Sequence, residues 1–445
     1  MLVFRIHTAR DLAPPDAGAT NLGTRDDFTL RNWMDDRVVI TGIGMVTSVG
    51  RDRESTWQAV RAGVSGVRQL EGVAGIPSGR VLAATVELPT ADEGISDLPL
   101  ALQAAAEALD DCGVNRAQVD PARIGCSIAA NMGDTPGVHC LRTGASPKEA
   151  TAWAHQWLPI TVSAAVGQQL NLHGPRLCST AACASGTIAT LGAVRAIQDN
   201  QCDMALAGAS QTLHPLLAAG FHNMRVLASG DDPEHACRPF DANRTGFVLG
   251  EGSAMLVLER LTHAQARGAS IYAEVVGGKM LCDAHHVTDL NVDSTALTRL
   301  IQNTLWSSHL APADVGYINA HGTGTLQNDV METRGIRAAF GASAESLCVS
   351  STKAVLGHLL SAAGSVELAL TALALRDGFA PPTVNLTDPD PECDLDCIPL
   401  VGRQRSIEHA LKLSIAFGGH LAAVALSRWN EAGERCSQLP MRLAA

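Results

Sequence analysis

The sequence predicts a layered α/β protein, and three observations lead to this class. Short apolar runs alternate along the chain with stretches of helical periodicity. Several runs are apolar at successive positions, which is typical of strands that helices cover on both faces. The composition agrees, since 46% of the 445 residues are hydrophobic and only 18% are charged. Because this length exceeds what one core usually serves, we expect two sheet-centred halves.

The first predicted strand is the run VVITGIG, which starts at Val38 and closes on glycines. A helical stretch, LPLALQAAAEALDDCG, follows at residues 98–113. Further strands are predicted at the apolar runs RIGCSIAA, CDMALAGA, SAMLVLERL, YAEVVGG, VGYINAHG and LCVSSTKA. The last two runs, LKLSIAF and LAAVALSRW, are separated by Gly418 and Gly419 and predict a hairpin.

The predicted domain boundary lies in the polar turn AQARGAS. An N-terminal half then covers residues 36–268 and a C-terminal half covers residues 269–430. Residues 1–35 lack a clear period and are interpreted as an N-terminal extension, and residues 431–445 as a C-terminal tail. No repeat between the halves is visible in the sequence.

Charge and hydropathy exclude several function classes. A formal charge of -12 argues against nucleic-acid binding, which requires an extended basic surface. No uncharged apolar run reaches the roughly 18 residues of a membrane span, and Arg5 and Arg10 come too early for a secretory signal. We therefore expect a cytoplasmic enzyme. The twelve cysteines show no zinc-like spacing, so Cys393 and Cys397 are interpreted as structural.

The stretch STAACASG places Cys183 between a short extended segment and a predicted helix. Its small neighbours permit a tight turn, and a helix N-terminus beside the sulfur favours the thiolate. Cys183 is thus a candidate nucleophile. On this stretch alone, an inert buried cysteine explains the pattern equally well.

Two further stretches bring polar residues to predicted strand-to-helix junctions. His321 ends the strand VGYI and precedes the hydroxyl-rich loop GTGT, while Lys353 and His358 lie in SSTKAVLGHLL. A lone histidine is more often structural than catalytic. One cysteine and two histidines at such junctions are nevertheless the groups that thioester chemistry needs.

With these sites in view, the chain resembles the β-ketoacyl-acyl carrier protein synthases from Val38 to Arg428. These are the condensing enzymes of fatty-acid and polyketide synthesis. The resemblance also rests on TGIGMVTSVG, RPFDANRTGFVLGEGSAMLVLE, PPTVNLTDPDPECDLD and AFGGH, which occur in the expected order. It implies a thiolase-like fold of five layers, α/β/α/β/α, built from two similar halves.

The resemblance further implies an acyltransferase without a cofactor or metal, whose substrates are carried on the phosphopantetheine of an acyl carrier protein. It implies a homodimer, or a heterodimer with a second ketosynthase-like subunit. Cys183 matches the acyl acceptor, and His321 and His358 match the pair that stabilises the enolate of the malonyl thioester. Lys353 matches the lysine that supports the site, and Glu367 its carboxylate neighbour.

The same resemblance suggests which residues bind the substrates. The pantetheine arm is expected along Thr323 and Thr325. The residues expected along the acyl chain are Phe221, Ile415, Phe417 and Met132. Near Met132 lie the polar residues Asp134 and Thr135. Asp134 either caps a helix or faces a subunit interface, or both residues indicate a functionalised acyl chain, such as a polyene or polyketide intermediate.

His358 favours the elongating subfamily, because primer-accepting relatives carry an asparagine there and degradative thiolases use a second cysteine. The chemistry implied is decarboxylative Claisen condensation of a Cys-bound acyl chain with malonyl-carrier protein. The alternative is a non-catalytic or chain-length-determining partner subunit. Cys183 argues against this alternative, whereas Ile415 and His420 leave it open.

The chain departs from its relatives in SIAFGGHLAA. Most elongating members carry Gly-Phe-Gly-Gly-Thr-Asn preceded by a gating phenylalanine. Here Ile415 takes the position of the gate and Ala416 replaces a glycine, while His420 and Leu421 replace the Thr and Asn. A branched gate and a stiffer neighbour put the usual gating movement in doubt.

Other features receive a structural interpretation. Gly42 and Gly44 resemble a dinucleotide fingerprint, but Thr47 occupies the place of its third glycine. His285 and His286 lack a nearby set of metal ligands and are interpreted as structural or pocket-edge residues. Candidate contacts for an acidic carrier protein are Arg61, Arg68, Arg142, Lys148 and Arg225.

Overall fold

The computed structural model describes residues 37–87, 97–130, 160–230 and 232–430. The strands in these ranges are β1 (Val38–Thr47), β2 (Arg68–Leu70), β3 (Val81–Ala84), β4 (Ile124–Ala129), β5 (Arg176–Leu177), β6 (Met204–Gln211), β7 (Leu249–Gly250), β8 (Gly252–Arg260), β9 (Ala273–Cys282), β10 (Val315–Asn319), β11 (Cys348–Ser350), β12 (Phe379–Ala380), β13 (Arg403–Gln404), β14 (His409–Ala416) and β15 (His420–Arg428). The α-helices are α1 (Arg53–Ala62), α2 (Asp97–Asp111), α3 (Ile160–Gln169), α4 (Ser185–Gln198), α5 (Pro215–Asn223), α6 (Pro233–Ala236), α7 (Leu261–Ala266), α8 (Thr295–Ser307), α9 (Leu326–Phe340), α10 (Lys353–Leu356) and α11 (Ala363–Asp377).

Ten strands form one sheet in the order β11-β10-β14-β15-β9-β1-β8-β6-β4-β5. Each end of this sheet repeats one pattern. In the N-terminal half β4 pairs in parallel with β5 and β6, and the order continues through antiparallel β8 to β1. In the C-terminal half β10 pairs in parallel with β11 and β14, and the order continues through antiparallel β15 to β9. The prediction of two similar halves is confirmed, although no repeat was visible in the sequence.

The two halves meet where their first strands pair. Val38, Val39 and Ile40 of β1 lie antiparallel to Val275, Glu274 and Ala273 of β9. The described residues all belong to one compact unit. The boundary predicted at residue 268 falls between α7 and β9, and the division into residues 36–268 and 269–430 stays a prediction.

Helices surround this sheet in three layers. The central layer is α4 and α11, which pack on each other and on strands of both halves. On the outside, α2 and α3 cover strands of the N-terminal half, and α8, with α9 behind it, covers β9 and β15. This arrangement is the predicted α/β/α/β/α architecture. The central α11 is buried along nearly its whole length, so its near-uniform apolar sequence reflects its position between the two halves of the sheet.

The glycines of β1 permit close packing against α2. A Cβ at Gly42 would lie 2.2 Å from the carbonyl oxygen of Ala108, and one at Gly44 would lie 2.0 Å from that of Ala104. Both oxygens belong to α2, so the two glycines let this helix approach the strand closely. The predicted hairpin is also present, since β14 and β15 pair from His409 with Ser427 to Ala416 with His420.

No helix in the described part of the chain is long and apolar enough to cross a membrane.

Candidate active site

A cavity of about 290 Å³ opens where the turns of both halves converge. It is lined by every predicted substrate-binding residue that the structure describes, together with the candidate nucleophile and both histidines: Cys183, Phe221, His321, Thr323, Thr325, His358, Ile415 and Phe417. Met132 lies outside the described residues. The residues predicted from the sequence therefore share one cavity, although Cys183 and Phe417 are 234 positions apart in the chain.

Cys183 sits in a single 3-10 turn, Ala182–Ala184, that leads from β5 into α4. Ala182 has a φ of 46°, a left-handed conformation that costs energy for any residue with a side chain. The turn is tied down by the Ser185 hydroxyl, which accepts from the N–H of Ala181 at 2.8 Å and donates to the Ala182 carbonyl at 2.7 Å. This tight turn presents the Cys183 thiol to the cavity.

His358 meets Cys183 from the C-terminal half. Its Nε2 lies 3.1 Å from the Cys183 Sγ. Its Nδ1 accepts the N–H of Leu360 at 3.2 Å, so the neutral imidazole carries its proton on Nε2, facing the sulfur. The ring is further held by the edge of Phe247, whose centroid is 5.2 Å away. His358 therefore offers the cavity a donor of fixed orientation.

His321 follows the end of β10, and its peptide is held on both sides. Its N–H donates to Glu332 Oε1 at 2.6 Å, and the N–H of Gly322 donates to Oε2 of the same carboxylate at 2.7 Å. Its carbonyl oxygen accepts from Lys353 Nζ at 2.5 Å. The ring centroid is 5.2 Å from that of His358. The two imidazoles are thus neighbours on the wall of the cavity.

Behind the histidines lies a buried row of charges. Glu367 on α11 forms ion pairs with two lysines. Its Oε1 lies 2.5 Å from Lys353 Nζ, and its Oε2 lies 2.8 Å from Lys412 Nζ. Both lysine side chains are fully buried. Charges that are buried in this way persist because each has a partner of opposite sign.

Burial sets the protonation of the reacting groups. It raises the pKa of the Cys183 thiol to about 12 and lowers the pKa of His321 and His358 well below the usual value. The positive charge of Lys353 lowers both histidine pKa values further. The helix N-terminus was expected to favour the thiolate, but burial has the opposite effect on the pKa of Cys183. At neutral pH the resting site holds a thiol and two neutral imidazoles.

The turn between β14 and β15 distinguishes Ile415 from Phe417. Ile415 lies within β14, paired with Leu421, and is 2% exposed. Phe417 instead begins a 3-10 turn whose next two residues are glycines with φ of 79° and 73°, and its ring lies 6.5 Å from that of Phe221. Backbone freedom is therefore concentrated after Phe417, whereas the hydrogen bonds of the sheet fix Ile415.

The remaining predicted contacts have mixed outcomes. Arg225 is exposed and lines the cavity. Arg61 already contacts Asp377 and the ring of Phe379, and Arg68 donates to Thr85. The other two candidates, at positions 142 and 148, lie outside the described residues. Among the residues that the structure describes, no cluster of three or more His, Cys, Asp or Glu side chains could hold a metal ion.

Sequence reasoning missed Glu332 and Lys412. A signal for Lys412 existed, since it is the only charged residue in the apolar run LKLSIAF. Glu332 gave no comparable signal, because carboxylates are common on helices and its burial depends on how α9 packs. Burial raises the pKa of Glu332 to about 7.

Most of the chain matches a known protein family. Residues 35–94 and 96–264 match the family model described as the N-terminal domain of beta-ketoacyl synthase, and residues 272–387 match the C-terminal domain. The 3-oxoacyl-[acyl-carrier-protein] synthase 2 of Coxiella burnetii is 36% identical over 407 residues, which cover 88% of this chain and 98% of that protein. The tetracenomycin polyketide synthase ketoacyl synthase alpha subunit of Streptomyces glaucescens is 37% identical over 418 residues, covering 89% and 98%.

Solved structures give a similar result. A type II PKS acyl-carrier protein in complex with its ketosynthase bound to the hexaketide includes a chain with a TM-score of 0.83 and 32% identity. The match covers 88% of this chain and 99% of that one. The ishigamide ketosynthase/chain length factor follows with a TM-score of 0.80 and 30% identity, covering 88% and 99%.

Proposed function

Because the chain belongs to the β-ketoacyl synthase family, we propose that it is an elongating β-ketoacyl-acyl carrier protein synthase of fatty-acid or polyketide biosynthesis. The reaction is the decarboxylative Claisen condensation of a Cys-bound acyl chain with malonyl-carrier protein. One observation carries the proposal: the Cys183 Sγ lies 3.1 Å from His358 Nε2 in a cavity that His321 shares.

In the first step Cys183 attacks the thioester of an acyl chain on the carrier's phosphopantetheine. The new bond joins Sγ to the acyl carbon, and the pantetheine sulfur leaves with the proton that the thiol gives up. The high pKa of the thiol makes this transfer depend on the enclosed cavity and on the donor at His358 Nε2, which stabilises charge that develops on sulfur.

In the second step the malonyl thioester loses carbon dioxide, and the electrons of the broken bond move to the thioester oxygen. Neutral His321 and His358 donate hydrogen bonds to this enolate oxygen. Their lowered pKa values suit this role, because they keep both imidazoles neutral at neutral pH. A neutral imidazole donates a hydrogen bond to the oxyanion, whereas an imidazolium would transfer its proton to it. The enolate carbon then attacks the acyl-Cys183 carbonyl, and the bond from that carbon to Sγ breaks. The thiolate that leaves takes up a proton from water, which restores the thiol.

The other lining residues divide between the two substrates. Thr323 and Thr325, whose hydroxyls lie 2.9 Å apart, are assigned to the pantetheine arm. Phe221, Ile415 and Phe417 are assigned to the acyl chain. Within this set Phe417 is the better candidate for a gate, because it begins the glycine-containing turn, whereas Ile415 is fixed in β14.

The partner required by this reaction is an acyl carrier protein, and Arg225 at the cavity is the candidate contact for its acidic surface. Two related structures are a ketosynthase with its acyl-carrier protein and a ketosynthase/chain length factor. A homodimer, or a heterodimer with a ketosynthase-like subunit, and a cytoplasmic location complete the proposal. No cofactor is required by the two steps.

The test is acyl transfer to the purified protein. Incubation with a medium-chain acyl carrier protein should add one acyl group to the peptide that contains Cys183, as measured by mass spectrometry. Malonyl-carrier protein should then release the group as a β-ketoacyl product. A C183A variant serves as the control. An unmodified Cys183 peptide, with a related ketosynthase acylated in parallel, would contradict catalysis and favour the non-catalytic partner subunit.

A further inference from the structure

The chain contains only four lysines, at positions 148, 279, 353 and 412, and two of them share a single carboxylate. The resemblance to known synthases accounts for Lys353 and Glu367 but assigns nothing to Lys412. A charged residue in the middle of an apolar strand is costly to bury unless it is paired. The position of Lys412 therefore requires an explanation.

Lys412 is connected to His321 through two ion-paired groups. Its ammonium lies 2.8 Å from Oε2 of Glu367, and the Lys353 ammonium lies 2.5 Å from Oε1. Lys353 in turn donates to the carbonyl oxygen of His321 at 2.5 Å. With one ammonium on each oxygen, the Glu367 carboxylate has a fixed orientation, and Lys353 is held where it reaches the His321 carbonyl.

The other side of the same peptide depends on Glu332, which accepts the N–H groups of His321 and Gly322. Burial raises the pKa of Glu332, the two N–H groups lower it, the Lys412 charge lowers it less, and the nearby Asp329 raises it slightly. The other titratable group that faces Glu332 is the buried thiol of Cys397.

We propose that Lys412 is a positioning residue for the condensation, because it holds the Glu367 carboxylate and thereby keeps the Lys353 ammonium on the His321 carbonyl oxygen. The inference rests on the proposed function. It concerns the step that uses His321, which is decarboxylation of the malonyl thioester. Acylation of Cys183 uses the neighbouring His358, whose Nδ1 is held by a backbone N–H of its own turn.

The test separates these two steps in K412M. Acylation of Cys183, followed by mass spectrometry, should stay within about threefold of the wild type, whereas carbon dioxide release from malonyl-carrier protein should fall at least about tenfold because His321 is displaced. K279M is the matched control, since Lys279 lies half-buried on β9 of the same sheet, and both of its rates should match the wild type.

The pH profile provides a readout that a purely structural role would not change. Ionised Glu332 accepts the two N–H groups more strongly than the protonated acid does, so decarboxylation should fall as the pH drops through its pKa. Loss of the Lys412 charge raises this pKa, and the acid limb of K412M should move upward by about half a pH unit or more. K412Q, which keeps a polar group beside Glu367, should show the same displacement if K412M does not fold.

Two results would overturn the proposal. One is that K412M or K412Q decarboxylates malonyl-carrier protein at the wild-type rate and that the acid limb of its pH profile does not move. The other is an equal loss of acylation and decarboxylation together with a lower melting temperature, which would make Lys412 structural. Failure of the proposed function is distinct from both, because in that case the wild-type protein itself would not be acylated at Cys183.

Discussion

Two strand-to-helix turns in this molecule have the same backbone and different chemistry. Ala182–Ala184 precedes α4, and Leu360–Ala362 precedes α11. Both are single 3-10 turns, and the first residue of each has a positive φ, 46° in one and 47° in the other. The second residue is Cys183 in the first turn and Ser361 in the other. Because the two halves share one strand order, these residues occupy equivalent places.

The helices that follow the turns also match. The second residue of each helix is a glycine, and each glycine lies against the start of the other helix. A Cβ at Gly186 would lie 2.8 Å from the backbone nitrogen of Ser365, and one at Gly364 would lie 2.7 Å from that of Thr187. The helix starts are therefore packed backbone to backbone, which brings the two turns together in the centre of the molecule.

The difference lies in access. Ser361 is fully buried. Two oxygens at the end of β6 accept its hydroxyl, the Oε1 of Gln211 at 2.7 Å and the carbonyl oxygen of Ser210 at 3.1 Å. Cys183 lies beside the end of β14, lines the cavity and faces His358. The duplicated backbone thus sets the position of a side chain, and the surrounding groups decide whether it meets a substrate or only supports the fold.

The largest effect is expected from exchanging the two side chains. C183S should lower acylation by at least about a thousandfold, because serine is a poorer nucleophile at neutral pH and no base is oriented toward it. S361C, introduced into the same variant, should restore nothing, since position 361 is closed to the cavity. Mass spectrometry of the two peptides measures this, and an acyl group at position 361 would contradict the comparison.

A smaller effect is expected where the helix starts meet. G186A places a methyl group 2.8 Å from one backbone atom and 3.0 Å from another, so it should lower the free energy of unfolding by about 1–3 kcal/mol. G220A, in the exposed α5, meets no atom within 4 Å and should raise it by up to about 1 kcal/mol. Denaturant unfolding of the two variants measures both values, and equal values would refute the close contact.

A third expectation concerns pH. The pKa values of His321 and His358 are lower in the folded than in the unfolded protein, so the unfolded state binds more protons below about pH 6.5. Stability should fall as the pH drops below this value, by about 1.4 kcal/mol per pH unit for each histidine. H358N should reduce this slope in melts between pH 7 and 5.5. A slope that is unchanged would contradict the burial argument.

The sequence was sufficient to predict most strands of the ten-stranded sheet and the final hairpin, because each lies in a short run with a local apolar pattern. The residues that meet at the cavity were predicted from such junctions together with the resemblance to known condensing enzymes. The short strands β2, β3 and β7 were not predicted. The repeated turn could not be predicted, since AACASGTI and LLSAAGSV share only an alanine and a glycine at matching places. Glu332 and Lys412 were missed for another reason. Their roles depend on partners 10 to 45 positions away, such as Gly322 and Glu367, and on burial that only the packed sheet creates.

The pairing of β1 has a consequence for synthesis on the ribosome. This strand lies in the centre of the ten-stranded sheet, and both of its neighbours come more than 200 residues later, since Val38 pairs with Arg260 and Val275. The N-terminal half therefore cannot complete its sheet until most of the chain has been made. We expect slow folding dominated by distant contacts, with the edges of β1 exposed to chaperones until β8 and β9 emerge.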